Sequence, residues 1–229
     1  DVLICDNDNV SPYGVNLGIL GKQRYMAPEV VTGKNDPDKQ SDRFSLAVIL
    51  FRLLFINHPL EGRRSTPPCM TKELERRYYG EEPVFVYDPN DDRNRPVPGT
   101  DKNLKTFWHI YPIYIRELFE RAFSNDVMMK KQPRIIEKEW LDAFFRLKAS
   151  IVKCPHCKEE TFITQQGENT CIECGKKIMV SNAIQFSTVT IPLYPGTKLM
   201  LWHADSSQND VESTLGLVVA NPNEPNVYG

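Results

Sequence analysis

Apolar residues crowd one stretch of the chain: Phe44, Leu46, Ala47, Val48, Ile49, Leu50, Phe51, Leu53, Leu54 and Phe55. At 3.6 residues per turn they cover nearly every face, which predicts a helix over about 42–55 buried on all sides. Ser41 and Asp42 offer its N-cap chemistry. Two amphipathic helices are expected to wrap it. One covers 113–123, with Ile115, Leu118, Phe119, Ala122 and Phe123; the other covers 136–148, with Ile136, Trp140, Leu141, Phe144 and Leu147. Between the apolar helix and the first of these, 62–103 is polar, and the stretch from Asp88 to Pro96 reads as loop. A loop this long in a compact domain is functional or mobile. A short helix at about 71–79, capped by Thr71 and carrying Leu74 and Tyr78, interrupts it.

Past residue 150 the pattern shortens into strand-like runs. These are Ile184–Phe186, Val189–Ile191, Lys198–Trp202 and Gly216–Val219, with turns at Pro195-Gly196, Ser206–Asp210 and Asn221–Pro225. Composition changes at the same points. The regions are a helix-rich 1–150, a segment 151–180 holding four of the six cysteines, and a β-type 181–229 that looks cut before its last strands. The expected class is therefore α+β and multidomain: a mainly α lobe, a cysteine-rich insert and a small partial β-sandwich.

The cysteine pattern carries chemistry. Cys154-Pro155-His156-Cys157 is followed after thirteen residues by Cys171-Ile172-Glu173-Cys174-Gly175-Lys176. Two C-x-x-C knuckles at this spacing read as a four-thiolate Zn²⁺ site. The alternative, two disulfides, needs an oxidising compartment, and no secretory signal precedes them. Residues 160–165 and 169–171 suit a β-hairpin between the knuckles, and the whole resembles a zinc ribbon. Four thiolates leave the metal no open position, so its role is structural. Lys153, Lys158, Lys176 and Lys177 are offset by Glu159, Glu160, Glu168 and Glu173, which argues against nucleic acid and for a docking or spacer role. His156 is expected to be exposed and not a ligand, Cys5 a small buried side chain and Cys69 a loop thiol. His203 and Asp205 read as polar residues near a strand end.

Charge and length narrow the rest. Lys and Arg number 28 against 30 Asp and Glu, so there is no overall basic field for nucleic acid or anionic lipid. Hydrophobic residues at 41% and charged at 25% fit a folded protein. The longest apolar run, Leu46–Phe51, stops at Arg52, far short of the roughly 18 residues of a membrane span. A cytoplasmic protein is expected. The chain opens on Asp1-Val2-Leu3-Ile4-Cys5, a strand pattern with no Met and no signal peptide, and closes after a Pro-rich turn; both ends look excised from a longer protein.

Gly21-Lys22-Gln23-Arg24-Tyr25-Met26-Ala27-Pro28-Glu29 resembles the end of a protein-kinase activation segment. Four other stretches follow in the family's order. Leu3-Ile4-Cys5-Asp6-Asn7-Asp8 stands where kinases place a strand ending in Asp-Phe-Gly. Ser41-Asp42-Arg43-Phe44-Ser45 resembles the entry of the central helix of the lower lobe. Asn57-His58-Pro59-Leu60-Glu61-Gly62 resembles the turn after it, and Pro133-Arg134 through Trp140 resembles the Arg segment opening the last helices. The resemblance covers about 140 residues and implies roles. Asp6, with Asp8, would bind Mg²⁺ beside ATP. Glu29 would pair with Arg134, and Asp42 would hold the catalytic-loop backbone. The plainer roles are a strand-end turn for Asp6 and a helix cap for Asp42. Kinase-like proteins of some bacterial stress operons, encoded beside a PP2C-type phosphatase, look similar in carrying a ribbon and β module after this lobe. The partners implied are protein substrates or signalling proteins.

Several positions depart from the family pattern. Asn7 and Asp8 replace Phe and Gly, and Lys22 stands where many kinases have Thr, so phosphate-driven ordering of the segment is not expected. The Gly-rich loop, the nucleotide Lys, its Glu partner and the catalytic-loop Asp and Asn have no counterpart here. The expectation is a Ser/Thr kinase-like fragment inactive by itself, or else a pseudokinase scaffold; a ribbon-led nucleic-acid binder comes third.

Overall fold

Proline's fixed φ suits the first position of a helix, and Pro28 opens a single turn there, α1 (Pro28–Val31). In the computed structural model, residues 11–224 are described apart from 13–14, 16–17, 19–20, 66–68, 187–188, 206, 209 and 211. The apolar block forms α2 (Lys39–Phe55). It begins earlier than the expected Ser41–Asp42 cap, because Asp38 is the N-cap. Asp38 Oδ1 accepts from the Ser41 N–H at 2.7 Å and Ser41 Oγ accepts from the Asp38 N–H at 2.8 Å, a reciprocal box. Asp42 is thereby carried into the exposed first turn.

The expectation that α2 is buried on every side fails. Phe44, Val48, Phe51 and Phe55 are at most 2% exposed, but Ile49 is 45% and Leu53 67% exposed. α4 (Lys102–Trp108), α5 (Ile113–Ala122) and the 3₁₀ turn Gln23–Tyr25 pack on α2 and leave Ile49 and Leu53 uncovered. Phe51 is the hub of the packed side. Its ring centroid lies 4.5 Å from Phe55, 5.3 Å from Phe119, 5.6 Å from Phe85 and 6.0 Å from Phe123.

The polar stretch 62–103 holds the short α3 (Lys72–Arg76), whose Thr71 cap accepts from the Leu74 N–H at 3.2 Å. Its part around residues 84–94 carries side chains packed into the core. Phe85 and Val86 are fully buried, and Asn94, 1% exposed, donates to the carbonyls of Leu60 (2.9 Å) and Val84 (2.7 Å). Gly62 is required at this crossing, since a Cβ there would collide with the Asn94 carbonyl. The short α6 (Asn125–Met128) then leads to α7 (Glu137–Ala149).

The chain divides into two compact units, Asp1–Glu137 and Lys138–Gly229. Among its described residues the second contains four two-stranded antiparallel sheets. β1 (Ile151–Lys153) pairs with β2 (Glu160–Phe162), and β3 (Gly167–Thr170) with β4 (Lys177–Val180). The single hairpin expected between the knuckles is thus two hairpins, because each knuckle turns its own pair of strands. β5 (Asn182–Gln185) pairs with β6 (Thr190–Leu193), and β7 (Lys198–Met200) with β8 (Thr214–Leu217). The expected strand through Trp202 ends at Met200. There His203 Nδ1 accepts the Met200 N–H at 3.0 Å and bends the chain into α8 (Leu201–Ala204). The protein is therefore α+β, with eight helices and small antiparallel sheets among the described residues.

Candidate metal centre

The two knuckles have the same hydrogen-bond scheme. The Cys154 N–H donates to the Glu159 carbonyl (2.9 Å) and the Lys158 N–H to the Cys154 carbonyl (3.1 Å). The Cys171 N–H donates to the Lys176 carbonyl and the Gly175 N–H to the Cys171 carbonyl, both at 3.0 Å. Each turn closes only if the residue after its second cysteine has positive φ. Gly175 (φ 69°) does so freely, while Lys158 (φ 68°) does so against its side chain. Thr161, 1% exposed, joins the hairpins by accepting the Ile172 N–H at 3.2 Å. Asn169 sets the connection, donating to the Gln165 carbonyl at 2.8 Å and accepting the Thr164 N–H at 3.1 Å.

This frame brings the four sulfurs together. Cys154 Sγ lies 3.9 Å from Cys174 Sγ and Cys157 Sγ 3.7 Å from Cys171 Sγ; all four lie within 4.8 Å of one another. A tetrahedral zinc with sulfur at about 2.3 Å requires sulfurs about 3.8 Å apart. A disulfide requires about 2.05 Å, and the four thiols are free. The cluster can hold a metal ion such as zinc. Its first cysteines are buried and its second ones nearer the surface. Val152, Ile163, Ile178 and Val180 form a small core with the buried Cys154 and Cys171, and Tyr194 packs on it.

The thiols share protons unequally. Burial alone would raise Cys171, but N–H donors from Cys174 and Glu173, with Cys154 and Cys174, bring it down to about 6. The Glu159 N–H lowers Cys157, yet burial and the three neighbouring thiols push it up to about 12. Thiols this close cannot all ionise without a cation among them. Two of the ribbon lysines have acidic neighbours: Lys177 lies 2.5 Å from Glu168 and Lys153 3.8 Å from Glu160.

The first unit brings together two other residues singled out in the sequence. Arg134 donates to both Glu29 oxygens, at 2.9 and 2.7 Å, and to the carbonyls of Gln40 (2.8 Å) and Met128 (3.2 Å). Its side chain is 3% exposed and that of Glu29 10%. Burial would raise the Glu29 carboxyl, but the Arg134 guanidinium, with Lys130 at 3.1 Å, holds it below the usual carboxylate range. Asp42 makes no comparable cluster; desolvation first, and the Asp38 charge second, raise its carboxyl. Asp6, Asp8 and Cys5 lie outside the described residues. Cys69 and His156 are exposed, His156 Nε2 lying 3.3 Å from the Lys177 carbonyl. His203 is fully buried rather than a loop residue. The sequence reading passed over the buried Thr161 and Asn169, for which spacing carries no signal. Nor does the sequence mark a joint role for Arg24, Glu61 and Tyr79, which meet in the first unit.

Among the described residues, no helix is long and apolar enough to cross a membrane. No protein-family model matches this chain, and neither a curated protein nor a solved structure matches it.

Proposed function

We propose that residues 1–150 are the lower lobe of a Ser/Thr protein-kinase-like protein, followed by a structural zinc ribbon over 151–180 and a β module over 181–229. The intact protein transfers a phosphoryl group from Mg·ATP to hydroxyls of a protein partner. The observation that carries this reading is the buried fork of Arg134 on Glu29. It ties the Ala-Pro-Glu turn to the segment before the last helix, as the resemblance implies. Such a fork supplies orientation as well as energy. Asp6 and Asp8 would supply carboxylate oxygens for Mg²⁺, which would neutralise charge on the transferred phosphate.

In the ribbon, Cys154, Cys157, Cys171 and Cys174 would hold the zinc. Four thiolates leave it no position for substrate, so its contribution is to folding. The four apolar side chains of the ribbon core are few for a segment of this size, and domains of this class depend on a metal or a disulfide.

A second reading, a pseudokinase scaffold docking partners through the ribbon and β module, is favoured by Asn7 and Asp8, which stand in place of Phe and Gly. Phosphoryl transfer by the natural full-length protein separates the two. Mg²⁺-dependent labelling of protein substrates, lost in Asp6→Asn, supports the enzyme. Nucleotide binding without transfer, or neither, selects the scaffold.

A further inference from the structure

Residues 23–31 run from a 3₁₀ turn (Gln23–Tyr25) into α1. Beside the Arg134 fork on Glu29, which holds the α1 end, a second set of side chains converges on Arg24 and Tyr25 and holds the 3₁₀ turn. The Arg24 guanidinium donates from Nε to Glu61 Oε1 (2.6 Å) and from Nη2 to Glu61 Oε2 (2.5 Å). The Tyr79 hydroxyl donates to the same Oε1 at 2.7 Å. His58 holds the backbone: Nδ1 accepts the Leu60 N–H at 3.1 Å, which leaves the proton on Nε2 to donate to the Arg24 carbonyl at 2.6 Å. Ser45 Oγ donates to the Tyr25 carbonyl at 2.8 Å, and the Arg52 guanidinium lies over the Tyr25 ring at 5.2 Å.

We infer that Glu61 is a built-in anion that latches residues 23–31 in one conformation, supplying by its carboxylate the paired charge a phosphate supplies in segments ordered by modification. The chemistry matches: a planar guanidinium takes two oxygens of a carboxylate or a phosphate in the same fork. Glu61 serves the anion role from the turn that follows α2, a rigid element, so the latch is set by folding alone. This deepens the proposed reading and rests on it, since there this segment faces the protein substrate. The intact protein would then need no phosphorylation of this segment to present that face.

Limited trypsin digestion of the full zinc-loaded chain tests the latch. The site after Arg24 lies inside it, and Arg121 in α5 provides an internal reference for opening of the whole unit. Loss of a hydrogen-bonded charge predicts that Glu61→Ala raises cleavage at Arg24 relative to Arg121 by about tenfold. Glu61→Gln, which keeps shape but loses charge, raises it less. Millimolar inorganic phosphate slows cleavage of Glu61→Ala back toward the wild-type rate. An unchanged Arg24-to-Arg121 ratio in both variants overturns the latch, and so does a Glu61→Ala ratio indifferent to phosphate. Cleavage is read without nucleotide, so its outcome is independent of the phosphoryl-transfer assay.

Discussion

Replacing Phe51 with alanine tests whether α2 is a one-sided scaffold. The residue is fully buried, meets Phe85, Phe119 and Phe123 edge to face and lies tilted against Phe55. The change removes six ring carbons, worth about 0.8 kcal/mol each if all are withdrawn from water, or about 5 kcal/mol. Partial collapse of neighbouring rings lowers this, and lost edge-to-face contacts of about 0.5–1.5 kcal/mol each raise it. About 4 kcal/mol is expected, much of the whole stability of a typical domain. With a urea dependence of about 2 kcal/mol/M the midpoint falls by about 2 M. Leu53→Ala, two residues along the same apolar block but 67% exposed, costs under about 0.5 kcal/mol. Urea-dependent hydrogen exchange of the α2 and α5 amides, read by mass spectrometry, follows this unit without interference from the ribbon. Equal losses for Phe51→Ala and Leu53→Ala would refute the one-sided packing.

Acid weakens the first unit through His58. Burial holds its imidazole down at about 4, against an ordinary 6.5. The unfolded chain therefore takes up the proton first, so stability is complete above pH 6.5 and falls between 6.5 and 4 by up to about 1.4 kcal/mol per pH unit. Hydrogen exchange of this unit across that window should show the slope, and His58→Gln should flatten it. In the ribbon, Lys158→Gly relieves a side chain held at φ 68° and Gly175→Ala creates the same strain at φ 69°, where nothing else crowds a Cβ. Thermal unfolding of the zinc-loaded chain should rise for the first and fall for the second, by about 1 kcal/mol each way.

The metal cluster was legible because its chemistry is local: two residues between cysteines force both sulfurs to one side of a turn, whatever surrounds them. The pairing of strands was not, since Glu160–Phe162 and Gly167–Thr170 have similar polar patterns and only the backbone of each knuckle decides their partners. The apolar block of α2 was legible as a helix, but its exposure depends on which neighbours arrive, and Ile49 and Leu53 carry no mark separating them from Val48 and Phe51. The Asp38 cap lay in plain view as Asp-x-x-Ser, just before the Ser41–Asp42 pair expected to cap the helix. Phe85 and Val86 vanished into a stretch read from its prolines and charges, and the burial of Asn94 follows from the carbonyls of Leu60 and Val84, distant in sequence.

X-ray absorption at the zinc edge, with metal analysis of the purified chain, reaches the central claim most directly. One zinc per chain, surrounded by four sulfurs at about 2.3 Å and no nitrogen or oxygen, is the predicted result. A chain that retains no metal while its four cysteines titrate as two disulfides, or a zinc shell containing imidazole nitrogen, would contradict it.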